Sequence, residues 1–361
     1  MPPLIAVRDL RKRFNLEAGF FAPLGRYVYA VNGVSFDIGE NESYGLVGES
    51  GCGKTTTARL LTRMYESGGG TILYRGGDLG ALKKKDLALY REKVKYVFQD
   101  PARSLNPRMN VLDLLTSGRR WSSQWRGARE ARRAAAAILE EVGLSAADLE
   151  RRPAEFSGGQ RQRISIARGL IMEPELLICD EVVSALDVSI QSQILNLLRD
   201  IRRRRNLSFL FIAHDLKVAS WFCDRIGVMY RGELVEEAPG AELYKTAAHP
   251  YTRLLFAPSG VSGEAGDPRQ GRRPYQAVRE VEGAGFAPDG KSPAEHPRGS
   301  GRSAPDLRGE VTAALAETRG CAFAERCPQA EARCFAEKPA PRKAGADREV
   351  RCHHPLLPQG G

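Results

Sequence analysis

Apolar positions in roughly the first 256 residues fall in short unbroken runs separated by polar or amphipathic stretches. The runs YGLVG (44–48), VKYVFQ (94–99), ELLICDE (175–181) and LSFLFIAH (207–214) are too short for typical helices and are rich in β-branched and aromatic residues. Unbroken apolarity over such a length marks a strand covered on both faces, which is the habit of parallel sheets. The pattern predicts an α/β fold with helices packed on a mostly parallel sheet. Between Pro101 and Pro153 it turns helical: AREARRAAAAILEEVGL (128–144) is built of strong helix formers and closes on Gly143. This stretch reads as a helical subdomain, about 101–153, inserted into a domain spanning 1–256.

After residue 256 the apolar periodicity stops. Residues 257–318 are dominated by Gly, Pro, Ser, Arg and Glu, with few large apolar side chains, and are expected to form a flexible linker. Residues 319–361 hold four of the seven cysteines and are expected to form a small cysteine-rich module.

Composition adds limits rather than identity. A chain of 361 residues with 42% hydrophobic and 27% charged residues is ordinary for a soluble globular protein. Lys and Arg outnumber Asp and Glu by 54 to 44, for a net charge of +10, but the excess is scattered over short clusters such as Lys83–Lys85 and Arg202–Arg205. Each cluster reads as a solvated face. The N-terminus MPPLIAVRDLRKRF lacks a signal-peptide h-region, and no run of 18 apolar residues occurs. Neither a membrane span nor a secretory signal is expected, and the cysteines are expected as thiols or metal ligands.

The strand YGLV runs into GESGCGKT (48–55) and then into the helix-forming TTARLLTRMY. Strand, glycine-rich loop and helix in this order make a phosphate cradle. Gly48, Glu49, Ser50, Gly51, Cys52, Gly53, Lys54, Thr55 and Thr56 form it. The glycines let backbone N–H groups turn inward, Lys54 brings charge to the β and γ phosphates of a nucleotide, and the Thr55 hydroxyl is offered to Mg²⁺. Cys52 occupies a variable slot.

LLICDEVVSALD (176–187) ends a buried strand in two carboxylates. Open α/β sheets bind ligands at such carboxyl ends. Asp180 is expected to reach the Mg²⁺ held by Thr55, and Glu181 to orient or deprotonate the water that attacks the γ phosphate.

The stretch PAEFSGGQRQRISIAR (153–168) adds Ser157, Gly158 and Gly159 at a helix start, an anion-binding N-terminus. FSGGQRQR resembles the signature of the ATP-binding cassette (ABC) ATPases. Together with GESGCGKT, ICDE, SALD and IAHD it covers that family's ordered motifs over roughly residues 4–256. The resemblance implies a P-loop NTPase fold and a head-to-tail dimer. In that dimer Ser157, Gly159 and Gln160 contact the γ phosphate of the partner's ATP. It further implies that Gln99 senses Mg²⁺ and the attacking water, that His214 holds the γ phosphate, and that Asp187 crosses the dimer interface. Phe14 is the best match to the family's adenine-stacking aromatic, with Phe20, Phe21, Tyr27 and Tyr29 as alternatives. Val182 stands where the family usually has proline, which alters the turn but removes no reactive group.

FQDPARSLNPRM (98–109), HPYTRLL (249–255) and the late cysteines resemble the ATPase subunits of dipeptide, oligopeptide and nickel importers. The long segment before VNGVSF is similar to the second, F-type, of their two ATPases. This implies a peripheral protein at the cytoplasmic face of the membrane. Its implied partners are two permeases, a second ABC ATPase and an extracytoplasmic substrate-binding protein. The same motor would serve nickel, metal-chelate or glutathione uptake. Soluble ABC proteins acting on nucleic acid are the rival class, and nucleic acid is not an expected partner, because such proteins usually carry two cassettes or long insertions. Cys321, Cys327, Cys334 and Cys352 suit either Zn²⁺ or a 4Fe–4S cluster. The spacing lacks the CxxC pairs of zinc knuckles, the resemblance favours the cluster, and unligated thiols remain the third option. His353 and His354 stand beside Cys352 as substitute ligands, and Cys179 and Cys223 are expected in the core.

Overall fold

The computed structural model describes residues 2–15, 27–256, 318–345 and 347–356. In chain order the strands are β1 (Ile5–Asn15), β2 (Tyr27–Ile38), β3 (Ser43–Val47), β4 (Gly69–Tyr74), β5 (Gly77–Asp78) and β6 (Val94–Val97). They continue with β7 (Leu176–Asp180), β8 (Ser208–Ala213), β9 (Arg225–Tyr230), β10 (Glu233–Pro239), β11 (Arg342–Lys343) and β12 (Glu349–Val350). The larger sheet has the order β11-β12-β10-β9-β3-β8-β7-β6. Strands β6, β7, β8, β3 and β9 run parallel, while β10 and β12 pair antiparallel at the other edge.

Every residue of β3, β7 and β8 is buried, as their unbroken apolarity requires. Successive side chains enter two different cores. Leu176, Ile178, Leu210 and Ile212 pack with Leu10, Val34 and Leu60 on one face. Leu177, Cys179, Phe209 and Phe211 pack on the other face with Leu114, Ile138, Leu139 and Ile164 of the helical region. Cys179 and Cys223 belong to this second core.

A second, antiparallel sheet of order β2-β1-β4-β5 covers the first face, beyond the mostly parallel sheet read from the sequence. Apart from Ile5–Val7 of β1 and Ala30–Asn32 of β2, its strands are only partly buried. In β2, Val34, Phe36 and Ile38 point inward while the residues between them are half-exposed, so this half of the strand alternates instead of forming an unbroken apolar run.

The helical region is built on Val111–Thr116, Ala128–Glu141 and Gly158–Leu170. Asn110 caps the first by accepting the Asp113 N–H at 2.8 Å. The second ends ahead of Gly143, whose φ of +76° turns the chain away. The linker expected over 257–318 lies, Thr318 apart, outside the described residues. Past it, Val350 of β12 pairs with Glu236 of β10, and Phe323 is buried against Tyr230 and Tyr251.

Candidate active site

The glycine-rich loop joins the end of β3 to the helix Lys54–Leu61. Its path is one that only glycine follows at two points. A Cβ on Gly48 would lie 2.2 Å from the Met229 carbonyl oxygen, and one on Gly53, at φ +111°, would lie 2.1 Å from that of Ala30. With glycine at its N-cap the helix carries no side-chain cap, so its N-terminal N–H groups and positive dipole end suit a phosphate.

Lys54 is 4% exposed. Its ammonium donates to the carbonyl oxygens of Gly48 at 2.7 Å and Glu49 at 3.0 Å, and stands 3.9 Å from Glu181 Oε1. These bonds hold the cation over the loop, where it would meet the phosphates. The next residue, Thr55, donates its hydroxyl to Asp180 Oδ1 at 3.1 Å. Asp180 is buried at the carboxyl end of β7 and takes a second bond from the Tyr96 hydroxyl on Oδ2. An oxygen-rich pair of this kind, hydroxyl beside carboxylate, fits a hard divalent cation, and Thr55 with Asp180 are the residues that would hold Mg²⁺.

Glu181 follows at φ +47°, a left-handed conformation uncommon for a residue with a side chain. The turn is fixed by its N–H donating to the Ile212 carbonyl at 3.0 Å and by the Ser184 hydroxyl donating to the Glu181 carbonyl at 2.9 Å. Backbone held this way at a sheet edge aims a carboxylate away from the core. Gln99, two residues past β6, donates its amide to Glu181 Oε2 at 2.8 Å. Gln99 therefore stands beside Glu181, while Thr55 and Asp180 form the oxygen-rich pair.

The other residues singled out in the sequence stand on separate elements. Ser157 and Gln160 form a capping box: Ser157 Oγ accepts the Gln160 N–H at 3.3 Å, and the Gln160 side chain accepts the Ser157 N–H at 2.9 Å. Gly159 leaves no room for a side chain, since a Cβ there would lie 2.7 Å from Ile190 Cγ2. Asp187 is the exposed N-cap of the helix Val188–Arg205, and His214 is exposed one residue past β8. Phe14 meets Tyr65 edge-on at 5.4 Å, with the Lys12 ammonium 5.2 Å from its ring centre. Phe20 and Phe21 lie outside the described residues. Val182 is buried beside the acids.

Cys321, Cys327, Cys334 and Cys352 line one narrow cavity together with His249, His353 and His354. Burial pushes the Cys321 thiol up to about 11, and the neighbouring cysteines add to the shift. Burial likewise raises Cys327 and Cys352. Among the described residues no three His, Cys, Asp or Glu side chains are grouped tightly enough to hold a metal ion, so the expected ligand set is gathered around a cavity without being assembled as a metal centre.

Three participants escaped the sequence reading. Tyr96 stands in the apolar run VKYVFQ, yet its hydroxyl holds the Asp180 carboxylate. Burial, and then the Asp180 charge, push this phenol far above its ordinary range and keep it a donor. Tyr251 accepts the Glu49 N–H at 2.9 Å, and Arg326 grips the Glu49 carboxylate. Both contacts span more than 200 residues of sequence, where no local pattern points to them.

Residues 31–184 match a family model described as ABC transporter, and residues 235–288 and 293–334 match one described as oligopeptide/dipeptide transporter, C-terminal region. The oligopeptide transport ATP-binding protein OppF of Bacillus subtilis (strain 168) is 47% identical over 244 residues, covering 67% of this chain and 80% of that protein. The oligopeptide transport ATP-binding protein AppF of the same organism is 37% identical over 351 residues, covering 97% of each chain. Among solved structures, a dimeric post-hydrolysis state of the ATP-binding cassette MJ0796 bound to ADP and phosphate superposes with a TM-score of 0.57. It is 26% identical and covers 65% of this chain and 98% of that one.

Proposed function

The chain belongs to the oligopeptide transport ATP-binding proteins of the ABC transporter family, and from that premise we propose that it is the ATP-hydrolysing subunit of a di- or oligopeptide importer. One observation carries the chemistry: Lys54, Thr55, Gln99, Asp180 and Glu181 come together at the carboxyl ends of β3, β6 and β7 through direct contacts. Lys54 and the loop N–H groups bind the phosphates, and Thr55 and Asp180 hold Mg²⁺. Glu181, steadied by Gln99, takes the proton of the attacking water. Catalysis is then mostly positioning and charge stabilisation of the γ-phosphoryl group. Ser157, Gly159 and Gln160, presented at an exposed helix start, act on ATP held by a facing cassette. His214 holds the γ phosphate, and Asp187 crosses the interface between the two cassettes.

In this reading two permeases, a second ATPase of the same family and an extracytoplasmic substrate-binding protein complete the importer, with this chain on the cytoplasmic face. Among the described residues no helix is long and apolar enough to cross a membrane, so attachment falls to the permeases. Nucleic acid is not a proposed partner. The basic run on the helix Val188–Arg205 is partly matched by acids, Arg202 with Asp224 and Arg205 with Glu141. Chains tagged at the N-terminus and extracted gently without oxygen are expected to carry two permeases and a different cassette ATPase, identified by mass spectrometry. Recovery with ribosomes or nucleic acid and no permease would remove the transport reading.

The late cysteines are proposed to hold a 4Fe–4S cluster, with Zn²⁺ the alternative. Four sulfur donors around one cavity are the chemical support for this assignment. Cys321, Cys327, Cys334 and Cys352 would be the ligands, and the group would staple about forty residues that are too few for a core of their own. Protein purified without oxygen is expected to contain iron and inorganic sulfide in equal amounts, both lost in Cys334→Ser. Zinc alone, or neither metal, would refute the cluster.

A further inference from the structure

Glu49 is the second residue of the phosphate loop, and the hydrogen bonds recorded for its N–H and its carboxylate both lead outside that loop. Its N–H donates to the hydroxyl of Tyr251, and its carboxylate accepts hydrogen bonds from the two terminal guanidinium nitrogens of Arg326, at 2.8 and 3.1 Å. Arg326 immediately precedes Cys327. Its side chain is 15% exposed, and its guanidinium lies 5.7 and 5.8 Å from the ring centres of Tyr230 and Phe323. Those rings are themselves locked together: Tyr230 meets Tyr251 at 4.6 Å and Phe323 at 5.2 Å, all three being 1% exposed or less. A two-pronged guanidinium seated on buried aromatics is a rigid contact, unlike a surface ion pair.

The charge on Glu49 is what makes the contact matter. A carboxylate in a loop shaped to receive a triphosphate repels its own ligand unless a cation offsets it. We propose that Arg326 is a positioning residue of the ATP site, neutralising Glu49 and fixing the loop, so that the cysteine-bearing segment forms part of the nucleotide site. Affinity for ATP then depends on that segment being folded in place.

The inference rests on the reading that the glycine-rich loop binds ATP, and one set of titrations separates the two. Binding of a non-hydrolysable ATP analogue is measured on the full chain and on R326Q, E49Q and the R326Q/E49Q double variant, at low and high salt. Affinity is expected to follow the local charge. R326Q should bind about tenfold more weakly than the parent, E49Q more tightly, and the double variant within about threefold of the parent. The loss in R326Q should shrink as salt rises. Should R326Q fail to fold, R326K, which keeps the charge without the fork, should bind between the parent and that tenfold loss. A double variant as weak as R326Q, or R326Q and R326K both equal to the parent, would overturn the role assigned to Arg326. Failure of the parent chain itself to bind the analogue would instead overturn the ATP reading.

Discussion

Glu181→Gln is expected to slow ATP hydrolysis by about 10²–10⁴-fold while leaving ATP binding in place, the range that a general base contributes. The substitution isolates basicity from geometry. Gln keeps the length of the side chain and an oxygen able to accept the bond from Gln99. The left-handed turn at 181 is held by backbone bonds to Ile212 and Ser184, which are indifferent to the side chain. The neighbouring Lys54 loses only a 3.9 Å ionic contact and keeps its two bonds to loop carbonyls. Phosphate binding and the cation pair Thr55–Asp180 should therefore survive. Single-turnover phosphate release and nucleotide retention, measured together, test this, and hydrolysis at the parent rate would take the base role away from Glu181. By contrast, loss of binding and hydrolysis in parallel would make Glu181 part of the cradle itself.

What the sequence disclosed about this site was whatever local spacing encodes. Gly48 to Thr55 lie in one loop and helix start, and Asp180 and Glu181 end one strand, so the chemistry of each piece was legible before any fold. Buried strands β3, β7 and β8 were legible for the same reason, since full burial leaves an unbroken apolar run. The half-buried sheet of β1, β2 and β4 was not, because β2 alternates over 33–38 and β1 has an irregular register, so that neither strand is apolar along its whole length. Tyr96 illustrates the harder case. Only the parallel pairing of β6 with β7, which sets Tyr96 opposite Ile178, brings its hydroxyl to Asp180, 84 positions away. Tyr251 stands in the family-like segment HPYTRLL, yet its contact with Glu49 crosses 202 positions and exists only once the sheet is assembled. Composition was the weakest guide. A net charge of +10 points to no partner, since Arg75, Arg225 and Arg326 are each engaged by carboxylates within the chain.

Glu236→Ala is expected to cost about 3–5 kcal/mol of stability, the loss seen when a buried charged acceptor is removed from its partners. Glu236 on β10 is 1% exposed, and each carboxylate oxygen accepts one backbone N–H, from Ala248 and from His249, both at 2.8 Å. Burial raises its pKa, and these two donors pull it back. The alanine variant leaves both N–H groups buried without an acceptor and withdraws the carboxylate that faces Arg348 at 3.9 Å. In a domain of this size such a loss lowers the melting temperature by roughly 10 °C. The damage should also spread in a definite direction. His249 opens the turn that delivers Tyr251 to Glu49, and its Nδ1 accepts the Tyr251 N–H at 3.1 Å, so loosening the turn frees the phosphate loop on the side where Tyr251 holds it. Amide exchange at Ala248, His249 and Tyr251 should accelerate along with exchange at Glu49, whereas Glu236→Gln, which keeps one acceptor, should lose less on both counts. A melting temperature within about 2 °C of the parent, with unchanged exchange at these amides, would mean that the turn is held by its aromatic packing instead of by the buried carboxylate.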